Sequence, residues 1–239
     1  MATKKPLLRH LLDTIITIKL EPAGETFHIH KGLLCYASPV FRAMMQHDWK
    51  EKQDGCIVLK DEDPEVFRRF MHWLYYGTVL DSDETIRTIS PQELAHCYFL
   101  ADRRDIPALQ NYLMDLLLHQ ADTLSYFLSS IQPLVWANTS ENSPLRKLLV
   151  DLMAFAADVP RIFEDENEKD HFDKCFVVDV LIRTHRTPKL TGWKDFHERR
   201  CDYHVHNAKL PAYSINRREQ PGEQYWEINQ HFSGGMQLP

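Results

Sequence analysis

The best candidate for a metal site in this sequence of 239 residues is the group of Cys201, His204 and His206. A thiolate and two imidazoles are ligands that zinc takes in tetrahedral sites, and a structural site needs a fourth ligand, for which Cys175 is a candidate. No C-x-x-C pair accompanies the three residues, and their spacing matches no standard zinc finger. The sequence therefore leaves two alternatives open here, a zinc site or a histidine-rich packed hairpin or surface turn.

His28 and His30 are a second pair of potential ligands. They lie in a segment of alternating polar and apolar residues, so a strand there places both rings on one face. No third ligand is positioned by the sequence, and two ligands alone do not make a zinc site. We predict a structural role for this pair.

Motifs for catalysis and phosphate binding are absent from the sequence. There is no P-loop, G-x-S-x-G elbow, H-E-x-x-H sequence or dinucleotide-binding glycine pattern, and the chain has only eight glycines to build such loops. The acidic runs at 61–63 and 81–84 lack the glycine and terminal glutamate of an EF-hand. We therefore predict a protein that is not an enzyme and that needs no cofactor.

The composition favours a soluble intracellular protein. The net charge is −6, which argues against a general binder of nucleic acid or of anionic membranes. The five cysteines are scattered and no secretory signal is visible, as is typical of a reducing compartment. No apolar run approaches the roughly 20 residues of a membrane span. We expect the protein to lie in the cytoplasm or the nucleus, and the sequence does not distinguish the two.

Three short segments have the pattern of strands. Apolar and polar residues alternate over residues 16–20 and 27–30, and a Pro-Ala-Gly turn lies between them, so the two segments predict a hairpin. Residues 56–59 are short and rich in β-branched side chains, which predicts a third strand.

Helix starts recur as a capping side chain followed by proline, at Ser38-Pro39, Asp63-Pro64, Ser90-Pro91 and Ser143-Pro144. Apolar residues at helical spacing follow these starts. We predict an α+β domain over residues 10–122, in which helices enclose a small sheet. A mainly α-helical extension is predicted for 123–185, and an irregular tail for 186–239.

The order of these elements resembles a BTB/POZ domain. The resemblance covers roughly residues 10–122 and rests on many correctly spaced residues. They are Asp13, FHIHK at 27–31, Leu33-Leu34, SPVF at 38–41, WKE at 49–51, IVLKD at 57–61 and FRRFMHWLYYG at 67–77. The extension is similar to those of BTB proteins abundant in filamentous fungi, on the residues ANT at 137–139, SPLR at 143–146 and LLVD at 148–151.

The resemblance implies a protein-interaction module. Members of the family dimerise, recruit corepressors or attach substrates to cullin-based ubiquitin ligases. Adaptors of the last kind carry an apolar-x-Glu motif between the second helix and the next strand, a place that Trp49 and Glu51 occupy here. The alternative is that Trp49 packs on its own helix and Glu51 is merely solvated.

The resemblance also implies a charged pocket formed by Asp13 and Lys31. The two side chains either hold a partner's backbone or satisfy each other, and the structural role is favoured because separating a buried pair leaves an uncompensated charge.

Three functions remain in competition at this point. The first is an adaptor whose partner is a cullin scaffold, with Trp49, Glu51, Asp13 and Lys31 as partner-binding residues. The second is a docking scaffold or homodimer without a ubiquitin-ligase role. The third is a binding domain stabilised by zinc at Cys201, His204 and His206.

Overall fold

The computed structural model describes residues 12–46, 56–123, 127–157, 172–186 and 189–206. The chain divides into two compact units, Met1–Gln110 and Asn111–Pro239. The division falls within helix α5 (Pro107–Thr123), upstream of the domain boundary at residue 122 that the sequence predicts.

A three-stranded sheet of order β2-β1-β3 lies in the first unit, built from β1 (Ile15–Glu21), β2 (Thr26–His30) and β3 (Cys56–Lys60). β1 pairs antiparallel with β2, as the predicted hairpin requires, and parallel with β3. Ile16, Ile18 and Leu20 alternate along β1 and are buried, so one face of the sheet forms part of the core. The predicted strands are confirmed.

Four helices complete the described part of this unit upstream of α5. They are α1 (Lys31–Ala37), α2 (Pro39–Gln46), α3 (Pro64–Tyr76) and α4 (Pro91–Arg103). Phe41 of α2 stacks on Phe70 of α3 with ring centroids 6.2 Å apart, and Phe67 meets Phe70 edge-on at 5.5 Å. The α+β class of this unit, a small sheet with helices, is thereby confirmed.

The predicted caps start these helices. The Asp63 carboxylate accepts hydrogen bonds from the backbone N–H groups of Glu65 at 2.8 Å and Val66 at 3.1 Å. At the start of α4 the Ser90 hydroxyl accepts from the Glu93 N–H, and the Glu93 carboxylate accepts from the Ser90 N–H, which completes the capping box. Gly77 ends α3 with φ of 82°, a left-handed conformation that suits glycine.

The buried carboxylate of Glu62 pairs with two arginines at the end of α4. Glu62 is 5% exposed, and its side chain accepts from Arg103 at 2.8 Å and from Arg104 at 2.5 Å. Two guanidinium groups therefore compensate one carboxylate that water does not reach.

The second unit is helical in its described part. It contains most of α5, then α6 (Phe127–Asn138), α7 (Pro144–Phe155), α8 (Lys174–Thr184) and α9 (Trp193–Glu198). Val135, Leu148 and Phe176 are fully buried, and the Trp136 ring meets Phe176 edge-on at 5.0 Å. This agrees with a helical extension.

The loop between α6 and α7 is held by Arg146. Its guanidinium donates to the Thr139 hydroxyl at 3.0 Å and to the carbonyls of Trp136 at 2.7 Å and Thr139 at 2.5 Å, and it lies 4.8 Å from the Trp136 ring centroid. Both halves of the ANT…SPLR pattern therefore meet in one contact within the unit.

The described part of the predicted irregular tail is folded. After α9 the chain forms a 3₁₀ turn at Arg200–Tyr203, and Phe196 and Tyr203 are buried. The Tyr203 hydroxyl donates to Asp151 of α7 at 2.9 Å, and Asp151 also pairs with Arg183 of α8. Aromatic burial, which the polar composition of this region conceals, orders residues 189–206. Residues 207–239 lie outside the described residues.

Among the helices that the structure describes, none is both long and apolar enough to cross a membrane.

Candidate binding surfaces

Trp49 and Glu51 lie outside the described residues. Their position in the chain is bracketed by the last residue of α2, Gln46, and the first residue of β3, Cys56. Upstream of them Met45 is buried and Met44 is 37% exposed. The predicted role of the two residues in binding stays a prediction.

Asp13 and Lys31 are brought to neighbouring positions by Thr14. The Asp13 carboxylate accepts from the Thr14 N–H at 2.7 Å, and the Lys31 N–H donates to the Thr14 carbonyl at 2.8 Å. Burial raises the pKa of the nearby Cys35 thiol, and the charge of Lys31 opposes that rise while the charge of Asp13 adds to it. Asp13 is exposed, so this carboxylate can be reached from solvent.

A cleft of about 460 Å³ opens beside α3. Its lining includes Arg68, Met71, Tyr75 and Tyr76, and Tyr76 is 74% exposed. Aromatic and arginine side chains are the residue types that contribute most to protein–protein hot spots. The cleft is therefore a candidate docking surface for a polypeptide.

Sequence reasoning did not find this cleft. Phe67, Phe70 and Leu74 occupy the buried stripe of α3, and Tyr75 and Tyr76 fall outside it. The sequence does carry one signal for the cleft, which is a pair of tyrosines outside the apolar stripe of an amphipathic helix.

Arg69 lines the cleft and joins three segments of the chain there. Its guanidinium forms a two-pronged pair with Glu84, at 2.7 and 2.8 Å, and also reaches Glu93 at 3.0 Å and the Val79 carbonyl at 3.1 Å. The hydrogen bonds from Arg69, helped by the Asp81 N–H, lower the pKa of Glu84 to about 2 despite partial burial. One side chain thus joins α3 to the 79–84 segment and to α4.

His72 is fixed at the same cleft. Its Nδ1 lies 2.7 Å from the Thr78 carbonyl, so the ring donates there and carries its proton on Nδ1. Its Nε2 lies 3.7 Å from the Asp81 carboxylate, and its ring packs against Tyr76 with centroids 4.7 Å apart. The imidazole is therefore held as part of the wall.

The three candidate zinc ligands come together in the second unit. One ligand atom from each of Cys201, His204 and His206 lies within 4.8 Å of the others. Cys201 and His206 are exposed, and His204 is buried. Cys175 is not a member of this group in the part of the chain that the structure describes.

Helix α5 positions the buried histidine. His204 Nε2 lies 2.9 Å from Asp115 Oδ1, and the backbone of Val205 exchanges two hydrogen bonds with the Asn111 side chain, at 2.7 and 3.2 Å. Cys201, His204 and His206 therefore lie on a turn in which hydrogen bonds to α5 fix the His204 side chain and the backbone of the next residue, Val205.

A family model for the BTB/POZ domain matches residues 5–121. The TD and POZ domain-containing protein 4 of Mus musculus is 26% identical over 167 residues, which cover 59% of this chain and 43% of that protein. The TD and POZ domain-containing protein 1 of the same organism is 28% identical over 125 residues, which cover 41% of this chain and 34% of that protein. This chain thus spans less than half the length of these curated relatives.

Proposed function

We propose that this protein is an adaptor that attaches a substrate to a cullin-based ubiquitin ligase, because the family model that matches residues 5–121 is that of the BTB/POZ domain, a protein-interaction module. The observation that supports this proposal is the position of Trp49-Lys50-Glu51 between helix α2 and strand β3 of the domain. It is the place of the apolar-x-Glu motif in adaptors of this family.

The chemistry of the motif supports the same reading. An indole fills a pocket on a partner with a large apolar area, and a glutamate two residues later supplies a charge that fixes orientation. The cleft lined by Met71, Tyr75 and Tyr76 offers a second docking surface in the same compact unit.

A pull-down with a purified cullin scaffold tests the adaptor role. The wild-type chain should recover the scaffold, and Trp49→Ala combined with Glu51→Ala should reduce recovery at least about 10-fold, the loss expected for hot-spot residues. Val58→Ala is the control, since it shortens an exposed apolar side chain (38% exposed) of the same unit that lies outside the cleft, and it should leave recovery unchanged. Equal recovery by the double variant and the wild type would exclude this use of the motif.

Self-association is the second candidate function, and a specific observation favours it. Leu12 and Ile15, just before and at the start of β1, are 82% and 57% exposed. Large apolar side chains in solvent at the end of a strand are typical of a surface that another chain covers, and BTB domains often dimerise. We propose that a second copy of this chain covers them when no other partner does.

Sedimentation equilibrium at high micromolar concentration tests self-association. The wild-type chain should show the mass of a dimer, and Leu12→Asp or Ile15→Asp should return it to a monomer. Val178→Asp, at a 52% exposed apolar position in the other unit, is the control that should keep the dimer. A monomeric wild type under these conditions would remove the candidate.

A further inference from the structure

We propose that Cys201, His204 and His206 bind one zinc ion on the turn that follows α9. The ligand set is a thiolate and two imidazoles, which suits zinc and does not suit calcium or magnesium, because those cations take oxygen ligands. The three ligands lie outside residues 5–121, and the proposal does not depend on the adaptor role.

The geometry requires only small side-chain movements. Metal–nitrogen distances near 2.0 Å and metal–sulfur distances near 2.3 Å place tetrahedral ligand atoms about 3.3–3.6 Å apart. One ligand atom from each of the three residues already lies within 4.8 Å of the other two. Rotations that move these atoms by roughly 1 Å close the remaining gap. Cys201 and His206 are exposed, and a rotation of His206 towards a metal exchanges the contact of its Nε2 with the Cys201 carbonyl, at 3.3 Å.

Asp115 prepares the buried histidine for a metal. Its Oδ1 lies 2.9 Å from His204 Nε2, and an ionised carboxylate only accepts, so the ring proton is held on Nε2. Nδ1 then carries the free lone pair, and it is the His204 atom that we assign as the ligand. A carboxylate on the far nitrogen of a ligating histidine is the usual outer partner of protein zinc sites, where it fixes the tautomer and makes the imidazole more basic.

The turn is held in place before any metal binds. Tyr203, next to the buried histidine, donates to Asp151 of α7 at 2.9 Å, and Val205 is paired with the Asn111 side chain of α5. Ligands on a backbone that is fixed at both neighbours lose little conformational entropy on binding. Three protein ligands leave one tetrahedral position, which water occupies on the exposed side.

Metal binding has a structural consequence. The three ligands join the 3₁₀ turn to the segment after it, and Asp115 links them to α5. A cation that binds only the folded form stabilises that form by mass action. Zinc is therefore expected to raise the melting temperature of the chain.

Titration of the full chain with Zn²⁺ and Co²⁺ tests the site. We expect one zinc ion per chain by elemental analysis, and visible absorption of bound Co²⁺ that includes a thiolate-to-metal charge-transfer band. Cys201→Ser should abolish that band and weaken the zinc affinity at least about 10-fold. His206→Ala should also weaken the affinity, and since both residues are exposed, neither change should alter the circular dichroism of the metal-free chain.

Two further variants separate this site from adventitious binding. Cys175→Ser changes another exposed cysteine and should leave affinity and spectrum intact. Asp115→Asn should keep the charge-transfer band but weaken the affinity about 10–100-fold, the loss seen when an outer partner of a ligating histidine is changed. Zinc bound at less than one ion per chain would overturn the proposal, and so would an affinity that Cys201→Ser leaves unchanged.

Discussion

The ion pair between Glu84 and Arg69 stabilises the surface around the cleft beside α3. The Glu84 carboxylate and the Arg69 guanidinium are only 25% and 16% exposed, so solvent screens them less than an ordinary surface pair. The pair supports the cleft from which Tyr76 projects.

The pKa of Glu84 predicts a contribution to stability that depends on pH. Its folded pKa of about 2 lies below the ordinary value of 4.5, so the stabilisation is present above pH 4.5 and is lost as the pH falls towards 2. At pH 7, Glu84→Gln should lower the free energy of unfolding by about 1–2 kcal/mol, after allowance for solvent screening.

Urea denaturation at a series of pH values measures this effect. The difference between wild type and Glu84→Gln should shrink as the pH falls from 4.5 towards 2, because the unfolded chain then binds a proton at Glu84 that the folded form does not bind until the pH nears 2. Glu65→Gln is a suitable control, since that side chain is 72% exposed in its pair with Arg68. A difference that stays constant down to pH 2.5 would contradict the assigned pKa.

Arg146 fixes the connection between helices α6 and α7. Its guanidinium reaches the hydroxyl and carbonyl of Thr139 and the carbonyl of Trp136, and it also stacks on the Trp136 ring. A lysine supplies one point charge and cannot make this set of contacts at once.

Arg146→Lys should therefore lower the free energy of unfolding by about 1–2 kcal/mol, the value of one or two charged hydrogen bonds. Arg186→Lys, an exposed replacement of the same kind in the same unit, should change it by less than about 0.5 kcal/mol. Chemical denaturation of both variants provides the comparison, and equal stabilities would refute the role given to Arg146.

The four cap-and-proline pairs show which elements the sequence determines by itself. Asp63 and Ser90 accept the hydrogen bonds that their position predicts, because a cap acts within one turn and needs no distant partner. Ser143 also precedes a proline at a helix start, yet its side chain makes no cap hydrogen bond. The start of the helix was predictable there, and the role of the serine was not.

Asp63→Ala should then cost about 1 kcal/mol of unfolding free energy, and Ser143→Ala only a few tenths. Thermal or urea unfolding of the two variants distinguishes them. Equal losses would mean that the Ser143 hydroxyl caps α7 in solution.

Over the whole molecule, prediction succeeded where the pattern is local and failed where it depends on distant segments. The alternation at residues 16–20 indicated a strand, but its parallel pairing with β3 joins segments about 40 residues apart. The burial of Phe196 and Tyr203 was missed because proline, glycine and polar residues dominate the sequence around them. The cleft was missed for a similar reason, since Tyr75 and Tyr76 look like an ordinary helix end until the 79–81 segment lies beside them.

Thiol reactivity reports on the fold of both units at once. Burial raises the pKa of Cys97 to about 12, so very little thiolate is present at neutral pH, whereas Cys175 and Cys201 are exposed. Brief alkylation of the native chain at pH 7.5, read by peptide mass spectrometry, should modify Cys175 and Cys201 and spare Cys97. The same reaction in urea should modify all three, and rapid native labelling of Cys97 would contradict the packing of α4.

The arrangement around Glu62 restricts how this domain can diverge over evolution. If a mutation removes that acid alone, two guanidinium groups at the end of α4 lose their shared counter-charge, and if Arg104 alone is lost, a carboxylate hidden from water is left with one partner at the rim. Positions 62 and 104 are therefore expected to change together across descendants of this gene or not at all.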